Sequence, residues 1–383
     1  MSIKGKACIV GAYEHPTRKA EDKSVAQLHA EVAKGALEDA GLTRKDVDGY
    51  FCAGDAPGLG PLSMTDYLGL KLRHMDSTDT GGSSYLVHVG HAAQAIALGK
   101  CSVALVTLAG RPRSEGSSGT QPRSWGANLP DAPFEAPYGI VTTNSYAMVA
   151  MRHMHEFGTT SEQLAWIKVA ASHHAQHNPH AMLREVVTVK EVLDSPVIAD
   201  PLHRLDCCVV SDGGGAFLMT TAERARDLRK PPVRVLGAAG AQSHWNISQM
   251  PDYTTSAGAT CIPEAFARAG VTPSDVDTIQ FYDSFTITVL VLLEDSGFCK
   301  KGEGGAYVAQ GHLKRGGRLP LNTDGGGLSA LHSGMRGLFL ITEAVRQLRG
   351  EAGLAQVPDA RVALAVGSGG WLSCIGAVVL GSG

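Results

Sequence analysis

Apolar residues recur along this chain with two periods, and one stretch of that pattern occurs twice. Ala7-Cys8-Ile9-Val10 is a short apolar run that predicts a first strand, and Val25, Leu28, Val32, Ala36 and Leu37 then fall at helical spacing over 25–40. Tyr50 and Phe51 predict a second strand. From Ser83 to Leu98 small and apolar residues alternate (Val87, Gly90, Ala92, Ala95), which predicts a close-packed internal helix. Two more helices are predicted over 144–157 and 161–177, and strands over 209–220 and 233–236.

The doubled stretch is Ala36-Leu-Glu-Asp-Ala-Gly-Leu-Thr-Arg-Lys-Asp-Val-Asp48, matched at seven of thirteen positions by Ala265-Phe-Ala-Arg-Ala-Gly-Val-Thr-Pro-Ser-Asp-Val-Asp277. In each copy an alanine-rich helix meets a glycine, which accepts the left-handed conformation of a helix C-terminus, and a Thr-x-x-Asp turn then leads into an apolar strand. Later landmarks repeat in order. Asp79-Thr80-Gly81-Gly82-Ser83 and Asp324-Gly325-Gly326-Gly327-Leu328 each predict the start of a helix, and Val103-Ala104-Leu105 and Val362-Ala363-Leu364 each predict the strand that follows. Solenoid repeats run to about 20–50 residues, so a period several times longer predicts two homologous α/β halves with a site where their glycine-rich helix starts converge.

Length supports that division, since 383 residues exceed what one core normally fills. The rigid Lys230-Pro231-Pro232 places the boundary between 1–230 and 231–383. A change of character over about 111–200, beginning with the Gly-, Ser- and Pro-rich stretch 114–137, predicts an insertion in the first half that covers the site. The 46 glycines and 19% charged residues indicate tight backbone approaches in an enzyme-like α/β protein. A net charge of -3 gives nothing that would draw nucleic acid. Eight cysteines without a Cys-x-x-Cys pair predict buried thiols in a reducing compartment. Residues 1–11 lack the pattern of a signal peptide, and no apolar run approaches the ~20 residues of a membrane span, so a cytoplasmic protein without a membrane partner is expected.

Four segments carry a resemblance to a known family: Ala92-Ala93-Gln94-Ala95-Ile96 in the internal helix, Ser211-Asp212-Gly213-Gly214-Gly215-Ala216, Tyr282-Asp283-Ser284-Phe285, and Gly325-Gly326-Gly327-Leu328 followed by His332. In order and spacing they resemble the thiolase superfamily, most closely its sterol-carrier-protein-X type. The resemblance spans essentially the whole chain and implies a five-layered αβαβα sandwich of two related halves, usually a homodimer.

The chemistry departs from that family. Thiolases work through a cysteine thiolate that is acylated. Counting back from Ala92-Ala93-Gln94, the nucleophile's place falls on Gly82, with Ser83 next to it, and the second family cysteine falls near Gly367-Ser368-Gly369; neither place holds a cysteine. Cys374 lies too far along to serve. Other parts of the site stay recognisable. Tyr282 puts a phenol where the family has an oxyanion-hole donor, and His332 in Leu331-His332-Ser333-Gly334-Met335 matches the catalytic histidine of a His-Pro-x-Gly segment, with Ser333 replacing the proline. Tyr282 and His332 are the expected catalytic pair, since both can exchange a proton and stabilise an enolate. Gly82, Ser83, Gly326, Gly327 and Gly369 are the expected substrate-lining positions, with Gly82 read as an opening for a bulky substrate. The resemblance extends to cysteine-free steroid side-chain aldolases, which implies retro-aldol cleavage of a β-hydroxyacyl coenzyme A thioester, no bound cofactor, and a small zinc-ribbon and OB-fold partner protein.

Blander readings stand beside these. Tyr282 also reads as a strand-end tyrosine with its hydroxyl satisfied structurally, and Ser83 as a helix N-cap. His173, His174, His177 and His180 have metal-compatible helical spacing but read as a solvated helix face, with no metal site. His88 and His91 read as packed, hydrogen-bonded helix residues. The triple glycines lack the Gly-Lys-Ser/Thr ending of a phosphate loop. Three functions therefore stay open: a retro-aldol lyase, a non-catalytic acyl-CoA or lipid-binding scaffold subunit, and serine-dependent acyl transfer through Ser83.

Overall fold

A computed structural model describes residues 2–117, 119–120 and 132–383. Most of the Gly/Ser/Pro-rich stretch read as the start of the insertion, at 118 and 121–131, lies outside the described residues.

Nine strands form the main sheet: β1 (Ala7–Glu14), β2 (Gly49–Phe51), β3 (His74–Asp76), β4 (Val103–Gly110), β5 (Gly213–Thr221), β6 (Val233–Gln242), β7 (Thr278–Phe281), β8 (Val362–Gly369) and β9 (Cys374–Ser382). Their order is β3-β2-β4-β5-β1-β6-β9-β8-β7. On one side β3, β2, β4 and β1 run in one direction, and β5, between β4 and β1, is antiparallel to both. On the other side β7, β8 and β6 run in one direction, and β9, between β8 and β6, is antiparallel to both. The same topology is thus built twice, joined where Cys8 and Ile9 pair with Arg234 and Val233.

Helices complete five layers. The outer face of β1, β4 and β5 carries α1 (Val25–Ala40), whereas α2 (Ser84–Ala97) and α8 (Gly337–Arg349) touch each other and strands of both sides. The two halves of the sheet therefore face one another across α2 and α8, and α5 (Gly258–Ala269) covers β6 and β9 from outside. The central layer has an apolar core in which Leu86 and Val89 of α2 and Leu338 and Phe339 of α8 meet Phe217, Met219, Ala363 and Ala365 from the strands. The insertion adds α3 (Thr142–Phe157) and α4 (Ser161–Ala175), and α4 packs on α6 (Thr286–Asp295) and on the single turn α7 (Gly326–Ser329).

The sequence repeat is a structural repeat down to single bonds. Gly41 and Gly270 end α1 and α5 at φ 70° and 67°. Thr43 and Thr272 open short 3-10 turns whose Asp46 and Asp275 carboxylates accept the threonine N–H. Asp48 then accepts the N–H groups of Ser102 and Val103 at the head of β4 (2.7 and 2.8 Å), and Asp277 accepts those of Arg361 and Val362 at the head of β8 (2.8 and 2.9 Å).

Three expectations are corrected. The strand expected from Val209 begins at Gly213, because Val209 and Ser211 donate their N–H groups to Gly327 and His332 instead of to a strand partner. Asp324-Gly325-Gly326 opens only the single turn α7, and the long helix starts at Gly337. The face expected to be solvated around His173 is partly internal: His174 is buried and its Nε2 accepts the Arg315 N–H at 2.9 Å. Among the described residues no helix is long and apolar enough to cross a membrane.

Candidate active site

Tyr282 leaves the end of β7 with its N–H bonded to the Val366 carbonyl of β8 (2.9 Å). Its hydroxyl oxygen lies 2.9 Å from His332 Nε2, and the two rings meet edge-on with centroids 5.6 Å apart. The pair is joined across 50 positions of sequence. Tyr282 is buried, and His332 is half-buried.

His332 sits in the irregular segment between α7 and α8. Ser211 fixes its backbone twice: the His332 N–H donates to Ser211 Oγ (3.0 Å), and the Ser211 N–H donates to the His332 carbonyl (3.1 Å). Asp212 anchors the neighbouring strands to the insertion by accepting the N–H groups of Ala20 (2.7 Å), Arg113 (2.9 Å) and Ser114 (3.0 Å).

Position 82 is where the Tyr282 ring lies. A Cβ built on Gly82 would stand 2.2 Å from Tyr282 Cε2 and 2.5 Å from both Tyr282 Cζ and the Ser368 carbonyl oxygen. Real Cβ atoms do not approach that closely, so the opening expected at Gly82 is already filled by the phenol. A side chain at 82 and the observed Tyr282 exclude each other.

Ser83 stands at the N-cap position of α2 but caps nothing there. Its hydroxyl donates to the Thr80 carbonyl (2.8 Å) and to Thr80 Oγ1 (3.0 Å), and it is wholly buried. No histidine or carboxylate shares a hydrogen bond with it among the described residues, so nothing is placed to make it a nucleophile. The β8 end closes on the same turn: a Cβ on Gly369 would lie 1.6 Å from the Thr80 carbonyl oxygen and 2.9 Å from Ser83 Oγ. Gly82, Ser83, Gly369, Tyr282 and His332 thus come together as expected, although the glycines and the serine there serve close packing.

Gly326 and Gly327 lie a step away, around Asp283. A Cβ on Gly326 would meet Asp283 Oδ2 at 2.0 Å, and the Gly327 and Leu328 N–H groups donate to the two carboxylate oxygens at 2.7 and 3.1 Å. Arg336, wholly buried, places Nε 3.2 Å from Asp283 Oδ1 and donates through Nη2 to Asp324 at 2.8 and 2.7 Å and through Nη1 to the Leu331 carbonyl at 3.1 Å. Burial raises the Asp283 carboxyl against the opposing Arg336 charge and the two N–H donors, whereas the Asp324 carboxyl, bound directly by Arg336, is held low. At the far end of α7, Lys168 of α4 donates from Nζ to the Leu328 carbonyl and to Ser329 Oγ, both at 2.7 Å. Burial lowers its ammonium to about 8, against the Asp283 charge.

Sequence reasoning did not single out Ser211, Asp283, Arg336 or Lys168. Asp283 follows Tyr282 in one of the recognised segments, and Lys168 is a lone charge between Ile167 and Val169 on a helix whose neighbours are core residues. That misfit is the signal that was available.

Two repeated halves around shared central helices, with the glycine-rich Thr80–Ser83 turn closing on the end of β8, define a thiolase-type protein. A thiolase C-terminal domain-like family model matches residues 239–382. The chain is 36% identical over 363 residues to the steroid side-chain-cleaving aldolase of Thermomonospora curvata, covering 91% of each chain. It is 35% identical over 371 residues to the 17-hydroxy-3-oxo-4-pregnene-20-carboxyl-CoA lyase of Mycobacterium tuberculosis, covering 91% of this chain and 92% of that one. A solved structure, the Ltp2-ChsH2(DUF35) aldolase, superposes with a TM-score of 0.90 at 32% identity over 99% of this chain and 98% of the other. The chain belongs to the thiolase superfamily, as a thiolase-like aldolase.

Proposed function

We propose that this protein cleaves the Cα–Cβ bond of a β-hydroxyacyl coenzyme A thioester by a retro-aldol route, with Tyr282 and His332 as its proton-exchanging pair and residues 1–230 and 231–383 as its two halves. The observation that carries the reading is the 2.9 Å contact between Tyr282 Oη and His332 Nε2, with the phenol lying over Gly82. The pair accepts the β-hydroxyl proton as that oxygen becomes a carbonyl, and the electrons of the broken bond pass into the thioester enolate. The same pair returns a proton to Cα, releasing a ketone or aldehyde and a shorter acyl-CoA. Atoms and charge balance without water, redox partner or bound cofactor, and no acyl-enzyme forms. Gly82, Ser83 and Gly369 shape the wall behind the pair, and Gly326 and Gly327 the support beneath it.

The relatives' names support a steroid side chain as the acyl class. The name of the solved aldolase supports a small partner chain of the DUF35 kind. A homodimer in the cytoplasm is the proposed setting. Among the described residues strand β3 is paired only with β2, and Met75 on that edge and Leu59 and Leu62 on the preceding segment are exposed, a surface suited to a second copy.

General acid-base groups contribute about 10²–10⁴-fold to rate. Tyr282→Phe is therefore expected to lower turnover of a β-hydroxyacyl-CoA by at least about 10²-fold with folding and CoA-ester binding retained. Unchanged turnover in this variant, or binding of a broad ester panel with no cleavage by the wild-type protein and its partner, would favour the scaffold reading.

A further inference from the structure

We propose that Asp283 and Lys168 are positioning residues for His332, gripping the turn α7 from its two ends and so fixing where the imidazole meets Tyr282. The proposal rests on the proton-pair reading of Tyr282 and His332 and deepens it.

The segment that carries His332 has little regular structure of its own. It runs from the single turn α7 through Ala330 to Arg336, and its first residues are glycines that any local interaction must hold in place. Asp283 supplies that hold at the N–H end. It follows Tyr282 directly, so its bonds to the Gly327 and Leu328 N–H groups and its contact with Arg336 Nε tie the backbone of Tyr282 to the chain just before and just after His332. Arg336 closes the loop by donating to the carbonyl of Leu331, the residue before His332. Lys168 acts at the opposite end, with its ammonium on the Leu328 carbonyl and Ser329 Oγ, three residues before His332. A carboxylate at the N–H end and an ammonium at the carbonyl end match the polarity of a helical turn, and together they leave it no easy direction in which to slide.

Lys168 also comes from the insertion. The insertion thus has a mechanical connection to the segment that carries His332. Charged groups facing these two residues are Arg336, Asp324 and Arg204.

A kinetic cycle tests this. Asp283→Asn and Lys168→Met are each made in the wild-type protein and in a His332→Gln background, and kcat and KM are measured with a β-hydroxyacyl-CoA. Small displacements of a reacting group cost up to about 10²-fold. Asp283→Asn is expected to lower kcat by about that factor and Lys168→Met by about 10-fold, with KM nearly unchanged and the pH-rate profile displaced. Groups that act as a unit are non-additive, so in the His332→Gln background neither substitution should cost more than about 2-fold further. Equal losses in both backgrounds would mark a merely structural role and overturn the proposal. Folded Asp283→Asn and Lys168→Met proteins with wild-type kcat, beside an impaired His332→Gln, would sink this proposal alone; a fully active His332→Gln would sink the proton-pair reading with it. If Asp283→Asn fails to fold, Lys168→Met carries the cycle, and an NMR titration of the His332 ring gives a second reading. A titration midpoint identical to wild type in Lys168→Met would count against positioning.

Discussion

A Cβ at residue 82 would stand 2.2 Å from the Tyr282 ring, so glycine at one position and tyrosine at the other are a single adjustment. Restoring a cysteine there should not restore thiolase chemistry. Overpacking a close-packed site costs about 1–3 kcal/mol, and Gly82→Cys is expected to lose that much stability in urea unfolding, with Tyr282→Ala in the same chain recovering part of it. A Gly82→Cys protein as stable as its parent would show that the ring moves aside freely. At this scale the sequence was informative about which residues meet, but it read an opening at Gly82 where the Tyr282 ring lies. Glycine-rich segments and their flanking Tyr and His marked the site, because backbone crowding leaves a mark in composition. The occupant of the space over Gly82 was hidden, since Tyr282 lies 200 positions away and only the pairing of β7 with β8, which packs on α2, brings it there.

Among the elements, the two aspartates that close the repeat do equivalent work. Asp48 and Asp277 each hold the N–H groups that start a central strand, and a hydrogen bond of this kind contributes about 0.5–1.5 kcal/mol net. Asp48→Ala and Asp277→Ala should each lower unfolding free energy in that range and by similar amounts; a large loss in one and none in the other would contradict their equivalence. The repeat made these turns, α1, α2, α5 and most strands readable, because a glycine stop and a Thr-x-x-Asp turn are local signals. The failures were long-range. Val209–Ser211 has a strand's apolar pattern at its start yet spends its backbone N–H bonds on residues 327 and 332. Lys168 lies on an element whose pattern asks for a core residue, and its partners Leu328 and Ser329 are about 160 positions away.

Lys168 gives this element a pH signature. Burial lowers its folded-state value to about 8 from 10.5. Between those two values the unfolded chain holds a proton that the folded protein has released, so its contribution to stability rises with pH, by about 3 kcal/mol in total. The difference in unfolding free energy between wild type and Lys168→Met is expected to shift in favour of the wild type from pH 8 to 10.5. A difference that stays flat across this window would mean that the amine is not held in a dry site.

For the molecule as a whole, the one-sided edge at β3 sets the expected assembly. If the proposed homodimer forms through that edge, Met75→Lys, which puts a charge on it, should convert it into a monomer in sedimentation velocity, and a mass unchanged from the wild type would contradict that contact. The layered architecture serves the site by bringing the ends of β7 and β8, the start of α2 and the segment before α8 to one place between the halves. The most direct test of the account is mass spectrometry of products and of the intact protein after incubation with a β-hydroxyacyl-CoA, partner included. Release of a ketone or aldehyde and a shorter acyl-CoA, with no covalent protein adduct and with loss of both products in Tyr282→Phe, is the predicted result. An acylated protein, or cleavage that proceeds unchanged without the Tyr282 hydroxyl, would contradict it.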